Sequence, residues 1–257
     1  MQVLSVEGLY KSFGGLQVLH DISFGVEAGE KIAIIGPNGA GKTTLFNVLG
    51  GQLPATGGHI FLAGKEITNL TPDRRLHLGL ARSYQLNNLF FKLSLLDNML
   101  LALYGAEHSH IQIFRPLDNR NDLLTSAQNL LEPMDLWERR FDSVTTLSYG
   151  DQRLVEIAFA LASRPKIVIL DEPSAGLPTA EAAVFANKIR NLSGKATLMF
   201  CAHDMDLVFN LADRIMVLYF GEIIAQGLPQ EIKTNPKVQE IYLGSEGPSR
   251  DVRSSQS

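Results

Sequence analysis

Gly36-Pro37-Asn38-Gly39-Ala40-Gly41-Lys42-Thr43 is the stretch that decides how the rest of the chain reads. It fits G-x-x-x-x-G-K-[ST] and lies between two very different neighbours. Before it, Lys31-Ile32-Ala33-Ile34-Ile35 is a short apolar run that stops at Gly36, the pattern of a buried parallel strand. After it, Thr43 to Gly50 reads as a helix closed by Gly50-Gly51. In such a strand–loop–helix the loop N–H groups point inward, and glycines permit close approach and unusual dihedrals. The helix aims its positive end at bound phosphates. Residues 36–43, with Thr44 in the first helical turn, are therefore expected to hold ATP. Lys42 would reach the β- and γ-phosphates and the Thr43 hydroxyl would ligate Mg2+. The competing reading is a plain glycine turn, which the strand-before, helix-after context disfavours.

A second apolar run, Lys166-Ile167-Val168-Ile169-Leu170, ends in Asp171-Glu172. Alone it could be any strand finishing in solvated acids. Together with the phosphate loop, Asp171 is placed to hold Mg2+ through water. Glu172, one residue on, is placed to act as general base toward an attacking water.

Around these two segments the chain alternates. Residues 2–30 read as strands, with Leu19, Ile22, Phe24 and Val26 in rough period 2 and Gly14-Gly15 and Ala28-Gly29 as turns. Residues 58–70 return to strand and turn. From 154 onward the pattern is a helix, strand Ile167–Leu170, a helix near 179–192, strand Thr197–Cys201, a helix at 204–212 and strand Ile215–Tyr219. This alternation predicts an α/β fold with a parallel sheet and right-handed crossovers. Residues 86–146 instead carry helical spacing (Leu95, Met99, Leu100, Leu103; Leu123, Leu124, Ala127, Leu130, Leu131) and read as an inserted helical subdomain. The Ser-, Gly-, Arg- and Asp-rich tail, 245–257, is expected to be disordered. No internal repeat is visible.

Composition narrows the function classes. The 257 residues are 45% hydrophobic and 19% charged, which is globular. A formal net charge of −4 with no basic stripe argues against nucleic acid as a partner. No run of 18 apolar residues is free of charge; the most apolar window, Leu89–Leu103, contains Lys92 and Asp97. With Glu7 and Lys11 among alternating residues, the N-terminus does not read as a signal peptide. The single cysteine, Cys201, fits a reducing compartment. The expectation is a soluble, cytoplasmic chain that meets a membrane only through a partner.

Between the two strand-end motifs lies Leu147-Ser148-Tyr149-Gly150-Asp151-Gln152-Arg153, 24 residues ahead of Asp171. Here the chain resembles the nucleotide-binding subunits of ABC transporters, whose signature is Leu-Ser-Gly-Gly-Gln before a helix. The resemblance runs from residue 3 to 244. Gln85 in Arg82-Ser83-Tyr84-Gln85 resembles the Q-loop glutamine, implied to touch Mg2+ and the attacking water. His203 in Cys201-Ala202-His203-Asp204 resembles the switch histidine. Phe13 in Lys11-Ser12-Phe13-Gly14-Gly15 takes the place of the aromatic that stacks on adenine. Taken singly, Phe13 reads as core, His203 as structural and Gln85 as uninformative; their ordered co-occurrence carries the assignment. The implied fold is a P-loop core (1–85 and 147–244) with an N-terminal antiparallel β subdomain and the helical insert, one domain over 1–244.

Tyr149-Gly150-Asp151-Gln152-Arg153, Leu89-Phe90 with Asp97-Asn98, Ala175-Gly176-Leu177 and the ending Asn235-Pro236 through Tyr242-Leu243-Gly244 resemble the branched-chain (hydrophobic) amino-acid importer type. Urea importers and lipopolysaccharide exporters share the plan, and a small-molecule kinase would share the phosphate loop without the signature. The resemblance implies a head-to-tail dimer of cassettes. Ser148 and Gly150 of one chain would close on the γ-phosphate held by the other, against integral-membrane permease subunits and, indirectly, a substrate-binding protein. Two departures stand out. Tyr149 and Asp151 replace Gly and Gln of the signature, and Pro178 stands where the family carries the D-loop aspartate. Proline cannot make that link, so pairing with a second, different cassette is expected.

Overall fold

The computed structural model describes residues 1–83, 89–107 and 120–244. Strands β1 (Gln2–Phe13) and β2 (Leu16–Glu27) form a long antiparallel hairpin around Gly14-Gly15. Leu4 and Val6 are buried two residues apart, and a register shift between Val6 and Leu9 breaks the period so that Leu9 is buried as well. β3 (Lys31–Ile35) follows, then α1 (Lys42–Gly50). β4 (Gly57–Leu62) and the short β5 (Lys65–Glu66) complete a four-stranded sheet in the order β2-β1-β4-β5.

After α2 (Pro72–Leu78) and β6 (Leu80–Ser83) come the helical pieces, α3 (Leu95–Glu107) and α4 (Arg120–Leu131), with single 3-10 turns at 132–134, 137–139 and 144–146. Then α5 (Tyr149–Ala162), β7 (Ile167–Asp171), α6 (Ala182–Ser193), β8 (Thr197–Cys201), α7 (Met205–Leu211), β9 (Arg214–Tyr219), β10 (Glu222–Gly227), α8 (Pro229–Thr234) and α9 (Pro236–Gly244) end the described chain. The second sheet has six strands in the order β10-β9-β3-β8-β7-β6.

The apolar runs are buried on both faces, and they split by parity. Ala33, Ile35, Val168, Leu170, Leu198 and Phe200 face the core shared with α3–α7. Ile32, Ile34, Ile167, Ile169, Met199 and Cys201 face the core shared with α1 and the β1–β2 sheet. Helix α6 buries Ala182, Phe185, Ala186 and Ile189, the i, i+3, i+4, i+7 stripe of a helix lying on a sheet. Helix α5 packs on β6 and β7 and also on α3 and α4, so the helical pieces and the sheet share one core.

The expected parallel-sheet core is present: β9, β3, β8, β7 and β6 pair in parallel. β10 pairs antiparallel with β9 at the edge, making the sheet mixed. Its residues are half-buried or exposed, so it lacks the continuous apolar run that marked the inner strands. The short α2 and β6, and the proline-started α8 and α9, were likewise not read from periodicity; each is too short to show it. Helix α5 starts at Tyr149, because Ser148 caps it: its Oγ accepts from the Asp151 N–H at 3.1 Å. Gln85 and the tail 245–257 lie outside the described residues.

Candidate nucleotide site

The phosphate loop is the turn between β3 and α1, and two glycines give it its shape. Gly36 has φ 155, and a Cβ there would lie 2.1 Å from the carbonyl oxygen of Leu218 on β9. Gly41, with φ 107, is the residue before the helix, against Leu19 and the Val18 carbonyl. Side chains at either position would force the loop off the sheet edge.

Lys42 is 7% exposed and folds back over the loop: its Nζ donates to the carbonyl oxygens of Gly36 at 2.6 Å and Pro37 at 3.0 Å. Burial holds its pKa below the ordinary lysine value, opposed by the Glu172 and Asp171 carboxylates. The loop borders a cleft of about 250 Å3 lined by Val18, residues 38–44, Glu172 and His203. Thr43 is exposed and Thr44 half-exposed on its helical side.

The acids stand where β7 ends. Asp171 pairs with Cys201 in the β7–β8 register, so both hang off the same sheet edge. The Cys201 thiol lies 2.9 Å from Asp171 Oδ1; burial and the neighbouring carboxylate push its pKa up, so it is a donor. Arg82 on β6 approaches Asp171 Oδ2 through Nη2 at 3.3 Å. Glu172 takes φ 46, a left-handed conformation that a glutamate rarely adopts. It turns the chain so that Oε1 meets His203 Nε2 at 2.9 Å. His203 comes from the loop after β8, and the adjacent Asp204 caps α7 by accepting from the N–H groups of Asp206 and Leu207.

Loop, Glu172 and His203 thus share one cleft. Gly36, Pro37, Phe13, Asp171, Ser148 and Gly150 are not part of its lining. Phe13 sits at the end of β1, 46% exposed, with the Lys11 ammonium 4.8 Å from its ring centroid. Ser148 and Gly150 start α5, where the Tyr149 ring lies against Gly176 and Gly150 against Leu177. Arg153 Nε donates to the Tyr149 hydroxyl at 3.1 Å and Asp151 faces Lys188 of α6 at 3.7 Å, so the two departing signature residues are tied into their own chain.

Reading of the sequence alone missed Arg82, Cys201 and Val18. Arg82 had a signal, a charge inside the short strand Leu80-Ala81-Arg82-Ser83; Cys201 and Val18 had none. For Mg2+, no cluster of three His, Cys, Asp or Glu side chains is present among the described residues. Asp171 and Thr43 supply a carboxylate and a hydroxyl oxygen, donor types that Mg2+ takes alongside water and phosphate oxygens.

A family model for the ABC transporter matches residues 19–175, from β2 through the loop after Glu172. The chain belongs to the ABC transporter family. Its cassette is also matched at residues 222–248 by the family model of the branched-chain amino acid ATP-binding cassette transporter. It is 37% identical to the high-affinity branched-chain amino acid transport ATP-binding protein BraF of Pseudomonas aeruginosa, covering 94% of this chain and 98% of that one. It is 35% identical to LivG of Escherichia coli, which carries the same description, over the same shares. Among solved structures, the ADP conformation of the ATP-binding cassette MJ1267 superposes with a TM-score of 0.80 at 31% identity, covering 95% of this chain and 99% of that one. The cassette is therefore an ABC-type ATPase homologous to ATP-binding subunits of branched-chain amino acid transporters. Among the described residues no helix is long and apolar enough to cross a membrane.

Proposed function

We propose that this cassette hydrolyses ATP to drive import of branched-chain or other hydrophobic amino acids. The match at 222–248 and the names of the relatives support the cargo class. The observation that carries the hydrolytic reading is the Glu172–His203 pair, 2.9 Å apart on the rim of the phosphate cleft. The loop N–H groups and Lys42 bind and orient the phosphates. Glu172, held by His203, orients water for attack on the γ-phosphorus; the bond to the β-phosphate oxygen breaks, leaving ADP, phosphate and a proton. Mg2+, held by Thr43 and Asp171 with Gln85, would neutralise phosphate charge. Phe13 would stack on adenine.

Ser148 and Gly150 lie outside the cleft of their own chain, which fits a role at the site of a second cassette in a head-to-tail dimer. ATP favours that closed state by mass action and hydrolysis releases it. Residues 1–85 and 147–244 bind nucleotide, and 86–146 pass the motion to permease subunits on the cytoplasmic face of the membrane, fed by a substrate-binding protein. With Pro178 in the D-loop, the second cassette is a different chain.

The test is Glu172→Gln: turnover is lost, ATP affinity is kept, and an ATP-bound dimer accumulates on size exclusion. Hydrolysis near the wild-type rate overturns the assignment of Glu172. Native mass spectrometry of the cassette co-expressed with its permeases and a neighbouring cassette reads the stoichiometry; two copies of this chain and no other ATPase refute the heteromeric pairing.

A further inference from the structure

Arg82 is a nearly buried guanidinium with an uneven set of partners. Its side chain is 9% exposed, and that of Asp171 13%. Nη1 is anchored to the phosphate-loop helix and the turn after it: it donates to Asn47 Oδ1 at 2.8 Å and the Phe46 carbonyl at 3.2 Å on α1, and to Gln52 Oε1 at 2.8 Å just beyond its end. Nη2 reaches Asp171 Oδ2 in a single long contact of 3.3 Å, and among the described residues the buried Nε has no hydrogen-bond partner. The strong form of an arginine–carboxylate pair is bidentate, with two parallel N–H···O bonds; here a single long contact stands in its place. The other oxygen, Oδ1, is held by the Cys201 thiol at 2.9 Å. The carboxylate is therefore pinned at one oxygen and loosely countered at the other.

We infer that Arg82 is a positioning residue that serves as a built-in counter-ion for Asp171, yielding Oδ2 when a divalent cation arrives with nucleotide. This rests on the reading of Asp171 as the cation-holding carboxylate. Its physics is competition: two positive charges, one fixed to α1 and one arriving with nucleotide, contend for one anion in a site of low water content. Arg82 keeps the carboxylate oriented without nucleotide, and it weakens cation binding, which favours exchange of nucleotide after turnover.

The experiment measures ADP affinity by calorimetry in EDTA and across a Mg2+ titration, for the wild-type chain, Arg82→Gln and Arg82→Lys. Gln keeps an amide donor for Asn47 and Gln52 while removing the charge. Arg82→Gln is expected to tighten the apparent Mg2+ affinity about tenfold, with ADP affinity in EDTA unchanged, whereas Arg82→Lys stays within about twofold of wild type. In an Asp171→Asn background the effect of Arg82→Gln disappears. An unchanged or weakened Mg2+ affinity, or equal effects of Gln and Lys, overturns the inference while leaving the nucleotide site standing; absence of ADP binding to the wild-type chain overturns both. A measurement on the wild-type chain guards against a variant that does not fold. The Arg82 guanidinium nitrogen resonances are expected to shift when Mg2+ is added to the ADP complex and not when ADP is added in EDTA. No response to Mg2+ refutes the exchange.

Discussion

Replacing Arg75 by Met tests how the phosphate-loop helix is held at its far end. Arg75 is 1% exposed, and all its donated bonds go to main-chain oxygens: Val48 at 2.7 Å and Leu49 at 2.6 Å in the last turn of α1, Thr68 at 2.7 Å and Leu70 at 2.9 Å before α2. Burial pulls its pKa down to about 10, so it remains a cation at neutral pH, placed at the negative end of the α1 dipole. Met fills much of the same volume but donates nothing. Each of the four carbonyls then loses a charged donor, at about 1–3 kcal/mol apiece if left dry. Against that, the desolvation of a buried guanidinium, several kcal/mol, is no longer incurred. The expected net loss is about 3–5 kcal/mol, the range for breaking a buried charged network. Urea unfolding of the nucleotide-free chain reads it, and Arg75→Lys recovers part of the loss. Lys42 and the loop sit at the opposite end of α1, so ADP affinity of the folded variant changes far less than for a substitution at Lys42. A loss under about 1 kcal/mol refutes the assignment of those bonds as the clamp on α1.

Lys42→Ala removes the cation from the loop, and calorimetry should show ADP binding weakened by about 1.5–3 kcal/mol, one charge-assisted hydrogen bond's worth; unchanged affinity counts against the phosphate-loop reading. Gly36→Ala puts a methyl group 2.1 Å from the Leu218 carbonyl, and overpacking against a rigid strand should destabilise the fold by about 1–3 kcal/mol and weaken ADP binding; a variant of wild-type melting temperature and affinity sinks the close-approach argument. Lys42 also predicts a pH effect. Its folded pKa is below 10.5, so between that lowered value and 10.5 the unfolded chain binds more protons and wild-type stability rises with pH relative to Lys42→Met. Urea titrations of both chains at neutral and alkaline pH should show that slope difference, and its absence or reversal contradicts the burial of a charged Lys42.

What the sequence determined by itself was whatever rests on neighbours along the chain. Residues 31–50 place an apolar run, a glycine loop and a helix in direct succession, so strand, loop and helix were legible together, and so was the strand ending at Asp171. Inner strands announce themselves because both faces are covered and every residue must be apolar. The edge strand β10 has an open face and no such mark, which is why only the structure showed that it runs antiparallel. The partners of the site are decided by sheet order, which interleaves β6, β7 and β8 from distant parts of the chain. Glu172 and His203 could each be nominated from local motifs, but their 2.9 Å contact follows from the pairing of β7 with β8. Arg82 meets Asp171 only because β6 lies beside β7, and Arg75 reaches the end of α1 only because α2 folds back over it. Charge on a side chain is written in the sequence; whether water or a buried carbonyl answers that charge is written only in the packing.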